Sequence, residues 1–144
     1  MTVFTQIFLG SALLALCSLL HVACLVAAVS VLAKLAYRHR HLPAAAHLAL
    51  IITVAVAALV IAHTVEVWIW AFSLLLLGAV ANVPDAVYFS LATYTTVGYG
   101  DVVLTHDFRV FGAMAAVTGM LVFGLSTAFL VAILTRHFPN ARLH

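Results

Sequence analysis

The residue pattern with the clearest chemistry is the hexapeptide Thr-Val-Gly-Tyr-Gly-Asp, from Thr96 to Asp101. Glycine tolerates backbone angles that are closed to other residues, so Gly98 and Gly100 allow successive main-chain carbonyl groups to point the same way. Four such rows of carbonyl oxygens around one axis can replace the hydration shell of a bare potassium ion. The carbonyl groups predicted to bind the ion are those of Thr96, Val97, Gly98, Tyr99 and Gly100, with the Thr96 hydroxyl at the innermost position.

Composition predicts that the chain lies in a membrane. Of its 144 residues, 67% are hydrophobic and 7% are charged, and the mean hydropathy is +1.26. A soluble domain of this size carries more charge. We therefore predict an integral membrane protein with short loops and no length left for a soluble domain, and we expect no enzyme activity, no cofactor, no nucleic-acid partner and no soluble partner.

Three apolar stretches are each long enough to cross a bilayer, which requires about 20 residues. They are residues 7–33, 44–81 and 110–135. The segment 82–104 is too short and too polar to cross, so it must enter and leave on the same side, covered by protein or water. The first stretch could instead be a secretory signal, but its length and the absence of a preceding basic residue favour a retained transmembrane helix.

The predicted fold class is therefore all-α, with three transmembrane helices plus a re-entrant pore helix and a filter loop. We expect the pore helix at 84–95, the loop at 96–100 and an inner helix at 108–136. Residues 1–43 would form an N-terminal helix and a cytoplasmic loop, and 44–144 would form the pore domain. Pro84 and Asp85 suit the first turn of the pore helix, where a missing N–H is no loss and a negative charge is favourable.

Charge placement predicts the topology. Basic residues follow the first and the third stretch, namely Lys34, Arg38, Arg40, Arg136 and Arg142. By the positive-inside rule the N-terminus lies outside and the C-terminus in the cytoplasm. All four acidic residues, including Glu66, then fall toward the outer side. We expect a plasma membrane, the inner membrane of a bacterium, and the reverse topology remains the less favoured alternative.

The second stretch is too long for one upright span. His63, Thr64 and Glu66 follow about 20 apolar residues, the number that crosses a bilayer. We therefore expect the spanning part to run from Ala44 to about Ala62. The following segment, 65–80, would lie helically on the outer surface. A turn at Thr64, giving four spans, is a second and weaker interpretation.

Residues 84–101 resemble the pore helix and selectivity filter of tetrameric potassium channels. Residues 119–128 resemble the inner helix of the bacterial two-transmembrane members, and the first helix is extra to that plan. The resemblance implies a homotetrameric, potassium-selective channel that lies in the lipid bilayer. It also implies that Tyr88, Tyr94 and Asp101 support the filter, with the Tyr88 hydroxyl reaching Asp101. The proton-gated relative carries a glutamate where this chain has Ala92, so that partner of Asp101 is missing.

The resemblance assigns roles along the inner helix as well. Gly119 matches a hinge glycine, although close packing explains it equally well, and Gly124 is expected to serve packing. Met120, Phe123 and Thr127 match cavity-facing positions. Val131 and Thr135 match the inner constriction, where an apolar ring can gate by dewetting.

Ionisable groups within the apolar stretches are a second set of candidates. His63 and Glu66 are three residues apart and share a helix face. They could form a pH-sensitive group, as could His137 near the inner constriction, but a simple mutual hydrogen bond is the favoured interpretation. A metal site made from one histidine and one glutamate is weaker still, because zinc usually takes three or four protein ligands.

The predicted function is potassium conduction without a voltage sensor or a cytoplasmic ligand domain. No stretch carries the regular arginines of a voltage sensor, and only eight residues follow Arg136. One filter per chain implies that four chains assemble. Two alternatives remain: a non-conducting subunit that co-assembles with another channel, and an intramembrane proton or metal protein centred on His63 and Glu66.

Overall fold

The computed structural model of the chain describes residues 1–137, and for His137 the backbone alone. This part forms four helices: α1 (Val3–Arg38), α2 (Ala44–Leu76), α3 (Val83–Tyr94) and α4 (Arg109–His137). No strand occurs within residues 1–137. The helices α1, α2 and α4 are long and apolar enough to cross a membrane. The predicted all-α fold with three spanning helices is therefore confirmed.

Local sequence sets the ends of the long helices. The Thr2 hydroxyl accepts a hydrogen bond from the Thr5 N–H at 3.3 Å and caps the start of α1. Pro43 precedes the first residue of α2, where a missing N–H costs nothing. Gly78 ends α2 by adopting a left-handed φ of 68°. The Ala79 N–H then reaches back to the Leu74 carbonyl at 2.9 Å, a glycine-dependent helix stop.

Helices α1 and α4 run side by side in the same direction. At one end, the Gln6 side chain accepts hydrogen bonds from the N–H groups of Val110 and Phe111 at 3.0 and 3.3 Å. These are otherwise unpaired donors of the first turn of α4. Near the middle, His21 of α1 meets Ser126 of α4. The N-terminal helix is thus packed along the whole inner helix.

Helix α2 runs in the opposite direction and has no break. His47, near its start, meets the carbonyl group of Ala36 near the end of α1, and Glu66 meets His21 at the middle of α1. Residues after Ala62 continue in the same helix to Leu76. The predicted division of this stretch, with its second part on the outer surface, is therefore wrong. Glu66 lies buried at the mid-level of three helices and not toward the outer side as predicted.

The main apolar core lies between the C-terminal half of α2 and the start of α4. Trp70 is fully buried, and its ring packs on Phe111 with 5.3 Å between ring centroids. The same cluster includes Leu74, Leu104 and Tyr94. Hydropathy alone misplaces this segment because an apolar helix face can contact lipid or protein equally well.

Gly119 has the least room for a side chain among the glycines of residues 1–137. A Cβ at Gly119 would stand 1.9 Å from the main-chain oxygen of Tyr94, the last residue of α3. A Cβ at Gly124 would have nothing within 4 Å. The helix α4 also runs through Gly119 without interruption. Close packing therefore explains Gly119, and the packing role expected for Gly124 is not seen within the chain.

The Gly119 contact predicts a large difference between two otherwise similar substitutions. Gly119→Ala forces a methyl group against main-chain atoms, which have no rotamer to escape into, so we expect a loss of about 1–3 kcal/mol. Gly124→Ala is the matched control and should be neutral or stabilising by up to about 1 kcal/mol, since alanine favours helix. Thermal unfolding of the purified protein in detergent measures both. Equal melting temperatures for the two variants would contradict the packing role.

Candidate functional site

The pore helix α3 has a well-formed start. The Asn82 side chain accepts a hydrogen bond from the Asp85 N–H at 2.9 Å, and its amide donates to the Asp85 carboxylate at 2.8 Å. Pro84 occupies the first turn. The helix extends from Val83 to Tyr94, against a prediction of 84–95. Its C-terminal end, which carries the negative end of the helix dipole, lies against α4 at Gly119.

The hexapeptide follows this end directly, and the sign of its backbone φ angle alternates from residue to residue between Thr96 and Gly100. Thr96, Gly98 and Gly100 have φ angles of 62°, 51° and 80°, whereas Val97 and Tyr99 do not have positive φ. Alternation between right- and left-handed backbone turns successive carbonyl groups toward one side and the N–H groups toward the other. Thr96 is the only non-glycine residue with positive φ among those described. Such strain persists only where the surrounding structure imposes it.

Two hydrogen bonds tie the N–H side of this loop to the pore helix. The Thr96 N–H donates to the Thr93 carbonyl at 2.9 Å, and the Gly98 N–H donates to the Ala92 carbonyl at 3.0 Å. Ala92 also lines a cavity of about 260 Å³ between the loop and α3. The loop is thus hydrogen-bonded to α3 through its N–H groups.

The side chains of the loop lie at the surface of the single chain. Val97 is 52% exposed and Tyr99 is 76% exposed.

Tyr88 contacts Asp101 at the C-terminal end of the loop, as predicted. Its hydroxyl donates to the Asp101 carboxylate at 2.6 Å. This hydrogen bond lowers the pKa of Asp101 below its ordinary value of 3.8 and raises the pKa of Tyr88 above 10.0. Asp101 is therefore charged at neutral pH and holds the end of the loop to α3.

Tyr94 occupies the centre of a buried polar cluster, which we define as His21, His63, Glu66, Tyr94 and Ser126. The Tyr94 hydroxyl donates a short hydrogen bond to Glu66 Oε2 and lies 2.8 Å from His63 Nδ1. His21 Nδ1 lies 3.0 Å from Glu66 Oε1. Both histidines place Nε2 at 3.0 Å from the Ser126 hydroxyl. All four helices contribute to this cluster.

The cluster corrects the favoured interpretation of His63 and Glu66. They do share a face, with 3.6 Å between His63 Nδ1 and Glu66 Oε2, but each has closer partners on other helices. His21 was not among the sequence candidates. The available signal was a lone histidine within an apolar stretch, and the sequence could not show that it faces Glu66.

The residues assigned to the cavity and constriction share one face of α4. Met120, Phe123, Thr127, Val131 and Thr135 are all exposed in the single chain. Phe123 also covers the polar cluster, with its ring centroid 4.8 Å from that of His63. The side chain of His137, the third pH-sensitive candidate, lies outside the described residues.

The Tyr88–Asp101 contact predicts a shift in acid sensitivity. Because the Asp101 pKa is lowered in the folded protein, the contact is present above pH 3.8 and is lost as pH falls through the lowered pKa. Tyr88→Phe removes the donor, so the Asp101 pKa should move up toward 3.8. Carbon NMR of labelled aspartate carboxyl groups measures this titration. Tyr37→Phe, in the last turn of α1, is the control and should leave the Asp101 pKa unchanged. An unchanged Asp101 midpoint in Tyr88→Phe would contradict the contact.

Comparison with known proteins agrees with this arrangement of two long helices around a short one and a loop. The profile of a family described as "Ion channel" matches residues 49–136, which include most of α2, all of α3 and the loop, and α4 to Arg136. The match leaves α1 outside. Neither the curated proteins nor the solved structures that were searched contain a match. The family profile matches more than half of the chain, on three helices of which two can cross a membrane. This multi-pass membrane protein therefore belongs to the ion-channel family and is not an enzyme.

Proposed function

We propose that this ion channel is selective for potassium and that four identical chains form its pore. The observation that carries the proposal is the alternating backbone of Thr96 to Gly100, with left-handed φ at every second residue. That alternation is the geometry in which a short loop offers a row of carbonyl oxygens to a cation. The proposed ligands are the carbonyl groups of Thr96, Val97, Gly98 and Tyr99, with the Thr96 hydroxyl at the inner end.

Selectivity follows from what the loop can and cannot offer an ion. The N–H groups of Thr96 and Gly98 are bonded to the pore helix, so the opposite side of the loop is left to the oxygens. Neutral carbonyl dipoles favour an ion that loses its water at low cost, which is potassium more than sodium. Asp101 places a charged carboxylate beyond the outer end, where it raises the local cation concentration.

The tetramer follows from the surfaces that one chain leaves open. A single loop supplies one row of oxygens, whereas a dehydrated ion needs oxygens on all sides. Val97 and Tyr99 are exposed beside it, and so is the α4 face from Met120 to Thr135. Fourfold rotation would bring all of these surfaces to one axis or to subunit contacts, as closed symmetry requires.

The positions of the charges support the proposed sidedness. Lys34, Arg38 and Arg136 lie at the ends of α1 and α4, beside the start of α2. Asp85, in the first turn of α3, and Asp101, directly after the loop, lie toward the opposite end of the bundle. By the positive-inside rule the loop opens outward, with the N-terminus outside, the C-terminus in the cytoplasm and the exposed α4 face lining an inner cavity. We propose a bacterial inner membrane as the location.

Flux through reconstituted protein tests the selectivity. Liposomes that contain the purified chain should pass potassium and rubidium far better than sodium. Gly98→Ala should abolish selective flux, since the added Cβ opposes the positive φ at that position. Ser30→Ala, an exposed position on α1, is the matched control and should conduct normally.

Comparable sodium and potassium flux through the wild-type protein would refute potassium selectivity. A well-folded protein without any flux would favour the alternative of a non-conducting subunit.

Subunit counting tests the assembly independently of flux. Native mass measurement and limited crosslinking in mild detergent should show four chains per particle, because one filter per chain requires four. Tyr99→Ala should weaken this assembly, since it removes a large apolar side chain from the proposed subunit contact. A stable dimer with no larger species would contradict the proposal.

A further inference from the structure

The polar cluster contains three groups that face one another as metal ligands do. One ligand atom from each of His21, His63 and Glu66 lies within 4.8 Å of the other two. His21 and Glu66 are 0% and 1% exposed. The ion-pair partners of Glu66 within residues 1–137 are these two histidines, with no lysine or arginine nearby. A buried carboxylate therefore has no permanent positive charge beside it.

The hydrogen bonds of Ser126 favour one tautomer of the two imidazole rings. The Ser126 hydroxyl has one hydrogen and lies 2.8 Å from the Val122 carbonyl, which can only accept. With its hydrogen there, the hydroxyl oxygen is free to accept from Nε2–H of both His21 and His63, whose Nε2 atoms each lie 3.0 Å away. In the tautomer that makes both hydrogen bonds, each imidazole carries its hydrogen on Nε2. The Nδ1 lone pairs then point into the cluster, that of His21 toward Glu66 and that of His63 toward Tyr94.

This arrangement leaves too few hydrogens for the contacts at the centre. His21 Nδ1 faces Glu66 Oε1 at 3.0 Å, and His63 Nδ1 faces the Tyr94 hydroxyl at 2.8 Å. The hydrogen of Tyr94 is directed at Glu66 Oε2. With neutral imidazoles in this tautomer, a lone pair faces a lone pair at both contacts, between His21 Nδ1 and Glu66 Oε1 and between His63 Nδ1 and the Tyr94 oxygen. A cation at this point removes both conflicts.

We propose that His21, His63 and Glu66 bind a divalent transition-metal ion of the zinc type through the two Nδ1 atoms and the carboxylate. Zinc–ligand bonds of about 2.0–2.1 Å in a tetrahedron place ligand atoms about 3.4 Å apart. His21 Nδ1 lies 3.0 Å from Glu66 Oε1 and His63 Nδ1 lies 3.6 Å from Glu66 Oε2, so the two separations lie on either side of that value and involve one carboxylate oxygen each. Two imidazoles with a carboxylate suit zinc and not magnesium or calcium, which prefer oxygen alone.

Ser126 has the position of the outer support that such sites contain. A histidine that binds a metal through one nitrogen donates its other N–H to a neighbouring acceptor, which fixes the ring. Here one hydroxyl oxygen lies 3.0 Å from Nε2 of both rings, in position to accept from each. Tyr94 stands beside the carboxylate as its hydrogen-bond donor. The site also has an approach, because a cavity of about 400 Å³ is lined by His63, Tyr94 and Phe123.

A metal at this point would join α1 to α2 at the level of Tyr94, the last residue of the pore helix. The bond would tie the helix that lies outside the family match to the helices inside it. Binding itself does not depend on potassium selectivity. The two proposals can therefore fail separately.

Metal binding to the purified full-length protein in detergent tests the site. After treatment with a chelator, the protein should bind one zinc ion per chain, measured by competition with a chromophoric chelator. Cobalt(II) should give the intense visible absorption of a tetrahedral site with nitrogen and oxygen ligands. Zinc should also raise the melting temperature of the wild-type protein by mass action.

Four variants assign the ion to the cluster. His63→Ala and the nearly isosteric Glu66→Gln should lose the stoichiometric zinc and the rise in melting temperature. Ser126→Ala keeps all three ligands and should weaken zinc binding by about 10- to 100-fold. His41→Ala, which removes an exposed histidine at the α1–α2 turn, is the control and should bind as the wild type does.

Three results would overturn the proposal. If the wild-type protein shows no saturable zinc binding, protons on the imidazole rings and not a metal ion would stabilise the contacts of His21 and His63 with Glu66 and Tyr94. Unchanged zinc binding by His63→Ala and Glu66→Gln would assign the metal to other residues. A sulfur-to-cobalt charge-transfer band would assign it to Cys17 or Cys24, the two free thiols of the chain.

Discussion

The contact between the end of the pore helix and Gly119 is the constraint on which the rest of the molecule depends. The main chain of Tyr94 lies where a Cβ of Gly119 would stand, so α3 and α4 touch with no side chain between them. The Tyr94 side chain extends from the same point to His63 and Glu66 of α2. One residue thus has its main chain fixed by α4 and its side chain fixed by α2. The next two residues lead into the proposed filter loop.

The loop can keep an unfavourable backbone because its starting point is fixed in this way. A threonine with left-handed φ costs about 1–3 kcal/mol, and Thr96 has a φ of 62°. The hydrogen bond from Gly98 to Ala92 and that from Tyr88 to Asp101 hold the loop at two further points. The proposed selectivity requires this rigidity, since a loop that relaxed would turn its carbonyl groups away from the proposed ion position.

Much of this arrangement could be predicted from local sequence, because its causes are local. The loop motif, the Pro84 helix start and the three apolar helices each depend on residues close together in the chain. The role of Gly119 and the partner of Glu66 could not be predicted in the same way. In a membrane protein, helix faces that contact lipid and helix faces that contact other helices are both largely apolar. Hydropathy therefore does not distinguish between them. The segment after Ala62 was expected on the outer surface for this reason, and for the same reason His21 was missed.

Anomalous X-ray diffraction from crystals grown with rubidium, a heavier stand-in for potassium, tests the central claim most directly. The account predicts a row of rubidium peaks on a fourfold axis, each surrounded by the carbonyl oxygens of Thr96, Val97, Gly98 or Tyr99. Rubidium peaks away from these oxygens, or carbonyl groups that point away from the axis, would contradict it.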